Sequence, residues 1–176
     1  MWLAVVLLVV AGVTTPDPLT VEVVRSPATV DISFELTRPL PDELVAALAS
    51  GAEARLSYTL KIKGRRKAWW DRRIWSGQLV AIAAFDPITG RYRCSVVLDG
   101  VITSTGEVES AEAARQWLRA PPPVRVELPE ARRDAELRIR VRAVFSTGTT
   151  WLIFPTQDAT PWIEVVPPQI AADADE

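Results

Sequence analysis

The residues best suited to chemistry lie in one basic, tryptophan-bearing stretch, residues 61–73. It holds seven positive side chains against one acid, Asp71, together with the only Trp-Trp pair of the chain. Clustered cations attract anionic surfaces over long distances, and an exposed indole adds an amphipathic anchor. We therefore predict a binding surface made by Arg65, Arg66, Lys67, Trp69, Trp70, Arg72 and Arg73.

The two adjacent tryptophans support this prediction. In an extended segment, neighbouring side chains point to opposite sides, so Trp69 and Trp70 cannot both enter one core face. One indole can pack beneath the segment while the other remains exposed as an interface anchor. The alternative is that residues 64–73 form only a solvated connection between two strands.

Several classes of catalytic chemistry are excluded by composition. The chain has no histidine and a single cysteine, Cys94, which rules out Ser-His-Asp and Cys-His sites and His-ligated metals. One thiolate cannot hold a zinc ion or an iron–sulfur cluster, and no glycine-rich phosphate loop is present. Asp31 and Glu35 lie about 13 Å apart along a predicted strand, farther than the carboxylates of glycosidases. We expect no enzymatic activity, no cofactor and no metal.

A second group of cations alternates with apolar side chains in residues 136–145. Its members are Arg138, Arg140 and Arg142. We interpret them as a solvated strand face whose arginines pair across the sheet with Asp31, Glu35 or other acids. An anion-binding face for lipid head groups or phosphates is the alternative. Cys94 and Trp117 fall on apolar faces, and we predict both as core residues.

Length and charge limit the partners. The chain of 176 residues has the size of one domain, and its formal net charge is −2. Nucleic-acid-binding domains are usually strongly basic, so we predict no nucleic-acid partner. With one cysteine no intramolecular disulfide can form, and cysteine usage therefore does not indicate the redox compartment.

The location of the protein is indicated by residues 2–13, an uncharged apolar run. As a helix this run would be about 18 Å long, against about 30 Å for the hydrocarbon core of a membrane. It matches the apolar region of a signal peptide better, although no Lys or Arg precedes it. We predict residues 1–16 to be a signal peptide or apolar N-terminal segment, and the protein to be periplasmic or secreted. Tethering to the membrane and a buried strand are the alternatives.

Apolar alternation predicts a mainly β fold. It is uninterrupted at residues 30–36, 55–63 and 136–145. Further strands are predicted at residues 74–85, 91–98, 101–105, 124–128, 151–154 and 162–166, and short helices at 39–51 and 111–119. Strands of this length separated by turn signals favour an antiparallel sandwich or a strongly curved antiparallel sheet with two short helices. We assign residues 19–168 to one domain and residues 169–176 to a disordered acidic tail.

In the order of its motifs the chain resembles the bacterial domain of unknown function 4390 family. The resemblance covers roughly residues 30–166. The motifs are the helix ending at Gly51, the strand with Tyr58, the segment Trp69-Trp70-Asp71-Arg72, residues 86–92 and the late Arg-rich strand. It implies a secreted or periplasmic protein of unknown function, often encoded near a membrane sensor kinase, and it supplies no catalytic residues.

Two functions are compatible with these patterns. The first is a non-catalytic envelope module that docks an envelope protein or an anionic membrane surface through the basic, Trp-bearing segment. The second is a carrier that holds an apolar ligand inside the curved sheet. A filled core favours the first function, and a sizeable apolar cavity favours the second.

Overall fold

The fold was determined from a computed structural model, which describes residues 17–64, 72–132, 135–148 and 156–168. Four sequence predictions concern residues outside these ranges. They are the apolar segment 1–16, residues 65–71 of the basic stretch, the strand at 151–154 and the acidic tail 169–176.

The described chain contains strands and two α-helices. The strands are β1 (Leu19–Arg25), β2 (Thr29–Leu36), β3 (Ala54–Gly64), β4 (Arg72–Asp86), β5 (Arg91–Leu98), β6 (Val101–Val108), β7 (Val124–Glu127), β8 (Leu137–Gly148), β9 (Thr156–Ala159) and β10 (Ile163–Val165). The helices are α1 (Asp42–Ala49) and α2 (Ala111–Arg119). The side chain of Ser110 caps α2 by accepting a hydrogen bond from the backbone N–H of Ala113 at 3.1 Å.

The strands form two antiparallel sheets. The small sheet has the order β1-β2-β7, and the large sheet has the order β10-β8-β3-β4-β5-β6, with β9 also paired to β8. β3 therefore lies between β8 and β4, although β8 follows it by more than 70 residues. This non-local pairing decides which side chains share the outer face of the large sheet.

The small sheet and the helices cover the inner face of the large sheet. Leu56, Tyr58 and Leu60 of β3 point inward and are completely buried. The rings of Tyr58 and Phe34 of β2 lie 4.6 Å apart between centroids, and the Tyr58 hydroxyl donates a hydrogen bond to the carbonyl oxygen of Leu118 in α2 at 2.7 Å. The two sheets and the helices thus share one continuous core.

Two tight turns connect neighbouring strands of the large sheet. Asp99 and Gly100, between β5 and β6, have φ angles of 49° and 86°, as the predicted two-residue hairpin requires. The Asp99 carboxylate also accepts a hydrogen bond from the backbone N–H of Gln78 at 2.8 Å, which ties the turn to β4. Gly90, with φ of 69°, ends the turn between β4 and β5.

The predicted fold class is confirmed: the molecule is mainly β, antiparallel, and has two short helices. β1 and β9 were not predicted. Leu19, Val21 and Val23 alternate in β1 and were an available signal, whereas β9 has the sequence Thr-Gln-Asp-Ala and no apolar pattern. Cys94 is buried as predicted, but Trp117 is only half-buried, packed over Gly106 at the rim of the core.

Candidate functional site: a basic face on the large sheet

Three neighbouring strands bring a cluster of six cations together on the outer face of the large sheet. Side chains alternate along a strand, so the cations of β3 and β8 point away from the buried apolar residues next to them in sequence. The six are Lys61 and Lys63 of β3, Arg73 of β4, and Arg138, Arg140 and Arg142 of β8. We call this group the basic face.

The pairing register places like charges directly opposite one another. Lys61 is paired with Arg140, and Lys63 is paired with Arg138 on one side and with Arg73 on the other. Directly opposed like charges destabilise a sheet. The arrangement therefore concentrates positive charge at a local cost in stability.

The prediction that the β8 arginines pair with Asp31, Glu35 or other acids was wrong for Asp31 and Glu35. Asp31 and Glu35 belong to the small sheet, where Asp31 pairs with Arg125 at 2.7 Å and Glu35 accepts a hydrogen bond from Gln116 at 3.2 Å. The acid beside β8 is Glu164 of β10, whose carboxylate lies 3.3 Å from Arg138 and 3.4 Å from Arg140. The Glu164 carboxylate thus forms ion pairs with two arginines.

Lys61 shows the electrostatic consequence of this crowding. Burial lowers the pKa of its ammonium below the ordinary value, and nearby positive charges lower the pKa further. Those charges belong to Arg142, Arg140, Lys63 and Arg73. The negative charge of an anion bound at this place would offset the repulsion from these cations and favour the charged ammonium.

Trp162, just before β10, packs among the same cations. Its ring centroid lies 4.5 Å from the Lys61 ammonium nitrogen and 4.6 Å from the Arg142 guanidinium carbon. Arg140 lies slightly farther away, at 5.2 Å. Such contacts stabilise cations over the face of an indole. This role of Trp162 was not predicted, although the spacing of Trp162 and Glu164 places both on one side of a strand.

A groove of about 560 Å³ continues from Lys61 and Arg142 along the outer face. Its walls include hydroxyl and amide side chains, together with the charged residues Arg55 and Asp99. Those neutral polar residues are Ser57, Thr59, Ser76 and Gln78. The Nε atom of Arg142 is buried and has no hydrogen-bond acceptor among the described residues.

Of the seven sequence-predicted site residues, the structure describes only two. Arg72 is described through its backbone as the first residue of β4, and Arg73 follows it with an exposed side chain beside Lys63. Arg65, Arg66, Lys67, Trp69 and Trp70 lie outside the described residues. Since residues 65–71 join β3 to β4, both ends of that segment are attached to strands of the basic face.

The basic face can hold anions. The described part of the chain offers no metal centre. Within the ranges the structure covers, no group of three or more Cys, Asp or Glu side chains is placed to bind a metal ion. Burial raises the pKa of the Cys94 thiol to about 11, so this thiol stays protonated and unreactive near neutral pH.

Comparison with known families supplies one match. The family described as "Domain of unknown function (DUF4390)" matches residues 19–150. The chain belongs to this family. No curated protein and no solved structure matches the chain. All six cations of the basic face fall within the matched region, residues 19–150. Trp162 and Glu164 follow this region.

In the described part of this DUF4390 protein, no helix has the length and apolar character needed to cross a membrane.

Proposed function

We propose that this protein is a non-catalytic module of the bacterial envelope that docks an acidic protein partner through the basic face. The observation that carries the proposal is the register of Lys61 and Lys63, each placed directly opposite arginines of β8. An ordinary solvated sheet would gain stability from opposite charges at these positions. A negatively charged partner accounts for the like charges found instead.

The chemistry of the face favours a protein over a membrane. Binding to a membrane surface generally combines cations with apolar side chains that enter the lipid. Among the described residues, only one of the five exposed large apolar side chains borders the basic face. It is Val166, which follows β10, whereas Val24, Ile88, Val101 and Ile102 belong to other parts of the fold. A groove with arginine donors instead suits carboxylates that project from a polypeptide.

Residues 65–71 extend the proposed surface. They add Arg65, Arg66 and Lys67 to the positive charge next to Lys63 and Arg73, and Trp69 and Trp70 supply aromatic anchors. In this proposal charge attracts the partner, while the indoles contribute binding that salt does not screen. The envelope location is supported by the apolar run at residues 2–13.

The carrier function has less support. Leu56, Tyr58 and Leu60 are completely buried between the sheets, and the rings of Phe34 and Tyr58 are in contact. These side chains fill the space between the sheets that an apolar ligand would need. Docking through the outer face requires no such space.

A binding measurement with a defined probe tests the proposal. The probe is a short fluorescent peptide of alternating Glu and Thr, titrated with the full chain at low salt and followed by anisotropy. Lys61→Gln combined with Arg142→Gln should weaken binding about tenfold, on the order of 1.4 kcal/mol. The matched control, Arg91→Gln with Arg115→Gln, removes the same charge elsewhere and should change affinity less than twofold.

Two further arms separate the possible partners. Trp69→Ala with Trp70→Ala should reduce the binding that remains at about 0.5 M salt, where charge interactions are screened within a few ångströms. Vesicles of anionic phosphatidylglycerol and neutral phosphatidylcholine test the membrane alternative. Binding to vesicles but not to the peptide would replace the protein partner by a membrane. Equal losses in the charge variant and its control would overturn the assignment of the basic face.

A further inference from the structure

An acidic segment of the chain begins a few residues after β10, the strand that borders the basic face. Residues 171–176 read Ala-Ala-Asp-Ala-Asp-Glu and contain no cation. The described chain reaches Pro168, three residues after β10 (Ile163–Val165). These acids are therefore attached next to a cluster of opposite charge.

The direction of β10 determines the end of the large sheet at which the described chain stops. Ile163 is paired with Val141 and Val165 with Ile139, so β10 runs toward the beginning of β8. At that end Lys63 is paired with Arg138 and Arg73, and Gly64 with Leu137 and Arg72. β10 thus points toward the row formed by Arg138, Lys63 and Arg73, which we call the end row.

The length of the segment is sufficient to reach the end row. From Pro168 to Asp173 the chain can span about 17 Å when extended. Adjacent strands are about 4.8 Å apart, which places Lys63 about 10 Å and Arg73 about 14 Å from β10 across the sheet. Asp173 and Asp175 can therefore approach both cations without any movement of the strands.

The end row also has the charge to receive carboxylates. Among the described residues, neither Lys63 nor Arg73 forms an ion pair, and Arg73 is exposed. One acid of the preceding strand already binds this face, because Glu164 lies between Arg138 and Arg140. Asp173 and Asp175 would extend the same kind of contact toward β3 and β4.

We propose that the acidic segment 171–176 binds back onto the end row and occupies part of the basic face until an acidic partner displaces it. The occupant is thus a segment of this chain, and the displacement rests on the proposed docking function. Attachment through a few residues gives the segment a millimolar effective concentration, so weak ion pairs are enough for substantial occupancy. The segment would raise the selectivity of the face by excluding weakly acidic ligands.

A direct test detects the contact without any partner. A carbodiimide joins a carboxylate to an amine that touches it, with loss of water, and the only amine of the end row is Lys63. In the full chain at low salt, peptide mapping should show an intramolecular link from Lys63 to Asp173 or Asp175. Lys63→Arg keeps the charge but removes the amine, and should abolish the link. A link that forms only between molecules, or that persists unchanged at high salt, would overturn the proposal.

A second test measures competition. Asp173→Asn, Asp175→Asn and Glu176→Gln together should strengthen binding of the alternating Glu-Thr peptide about three- to tenfold at low salt, with the difference vanishing at high salt. The matched control removes three exposed acids of the small sheet and its following turn, and should show a much smaller change. It carries Glu22→Gln, Glu127→Gln and Glu130→Gln.

The two tests distinguish the two proposals. A salt-sensitive Lys63 link without peptide binding by any variant would uphold the intramolecular contact and overturn the docking function. Peptide binding that is equal in the full chain and the acid-neutralised variant, with no link, would uphold docking and overturn the contact.

Discussion

A single hydroxyl joins the large sheet to α2. The Tyr58 hydroxyl donates toward the carbonyl oxygens of Leu118 and Arg119, at 2.7 and 3.2 Å, where the last carbonyls of a helix lack partners within the helix. Burial raises the pKa of this phenol, and the hydroxyl therefore remains a donor. The apolar alternation of residues 55–63 predicted that Tyr58 points inward, but no local pattern could reveal an acceptor about 60 residues away.

Tyr58→Phe should destabilise the fold by about 1–2 kcal/mol, because it leaves a buried carbonyl of α2 without its donor while the ring keeps its contact with Phe34. Urea unfolding followed by tryptophan fluorescence measures the change. Tyr92→Phe is the matched control, since the Tyr92 hydroxyl lies 3.4 Å from the Leu48 carbonyl oxygen in a half-buried place. It should cost less than half as much. Equal losses of stability in the two variants would show that the Tyr58 hydrogen bond contributes no more than the longer one at Tyr92.

At the level of elements, alternation predicted most strands because it depends only on neighbouring residues. Strands β2, β3 and β8 match the predicted segments closely, as does α2. Alternation does not reveal which strands pair with one another. The assignment of each strand to one of the two sheets was therefore not predicted, and Asp31 and Glu35 were assigned to the wrong neighbours.

The inward and outward residues of β8 give a test of its register. Ile139 is completely buried, whereas Arg140 lies on the outer face beside Glu164. Ile139→Asp should destabilise the fold by several kcal/mol, because it buries an unpaired charge. Arg140→Asp should change stability by about 1 kcal/mol or less, because the new carboxylate is partly exposed and its repulsion from Glu164 on one side is offset by attraction to Lys61 on the other. Chemical unfolding of both variants measures the difference, and similar midpoints would contradict the assigned faces.

At the scale of the whole molecule, the basic face assembles residues from three separate regions of the sequence. Lys61, Arg140 and Trp162 meet because β3 lies beside β8 and β10 lies beyond it. The composition of the sequence predicted the basic stretch 61–73, and the alternation of residues 136–145 predicted the β8 arginines as a separate group. The proximity of the two groups was not predicted, because it follows from the order of the strands in the sheet. The proposed surface is accordingly larger than the predicted one and includes the indole of Trp162.

The proposed docking role also depends on where the protein resides, and residues 2–13 predict export. Fractionation of cells expressing the full chain should place the protein in the envelope or the medium, with an N-terminus that begins after the apolar run. Leu8→Arg is the control, because one charge at the centre of so short an apolar region opposes its insertion by about 2.5–3.5 kcal/mol. This variant should accumulate in the cytosol with its apolar run uncleaved and with an unchanged unfolding midpoint. Cytosolic parent protein that retains residues 2–13 would contradict export and would move the search for an acidic partner out of the envelope.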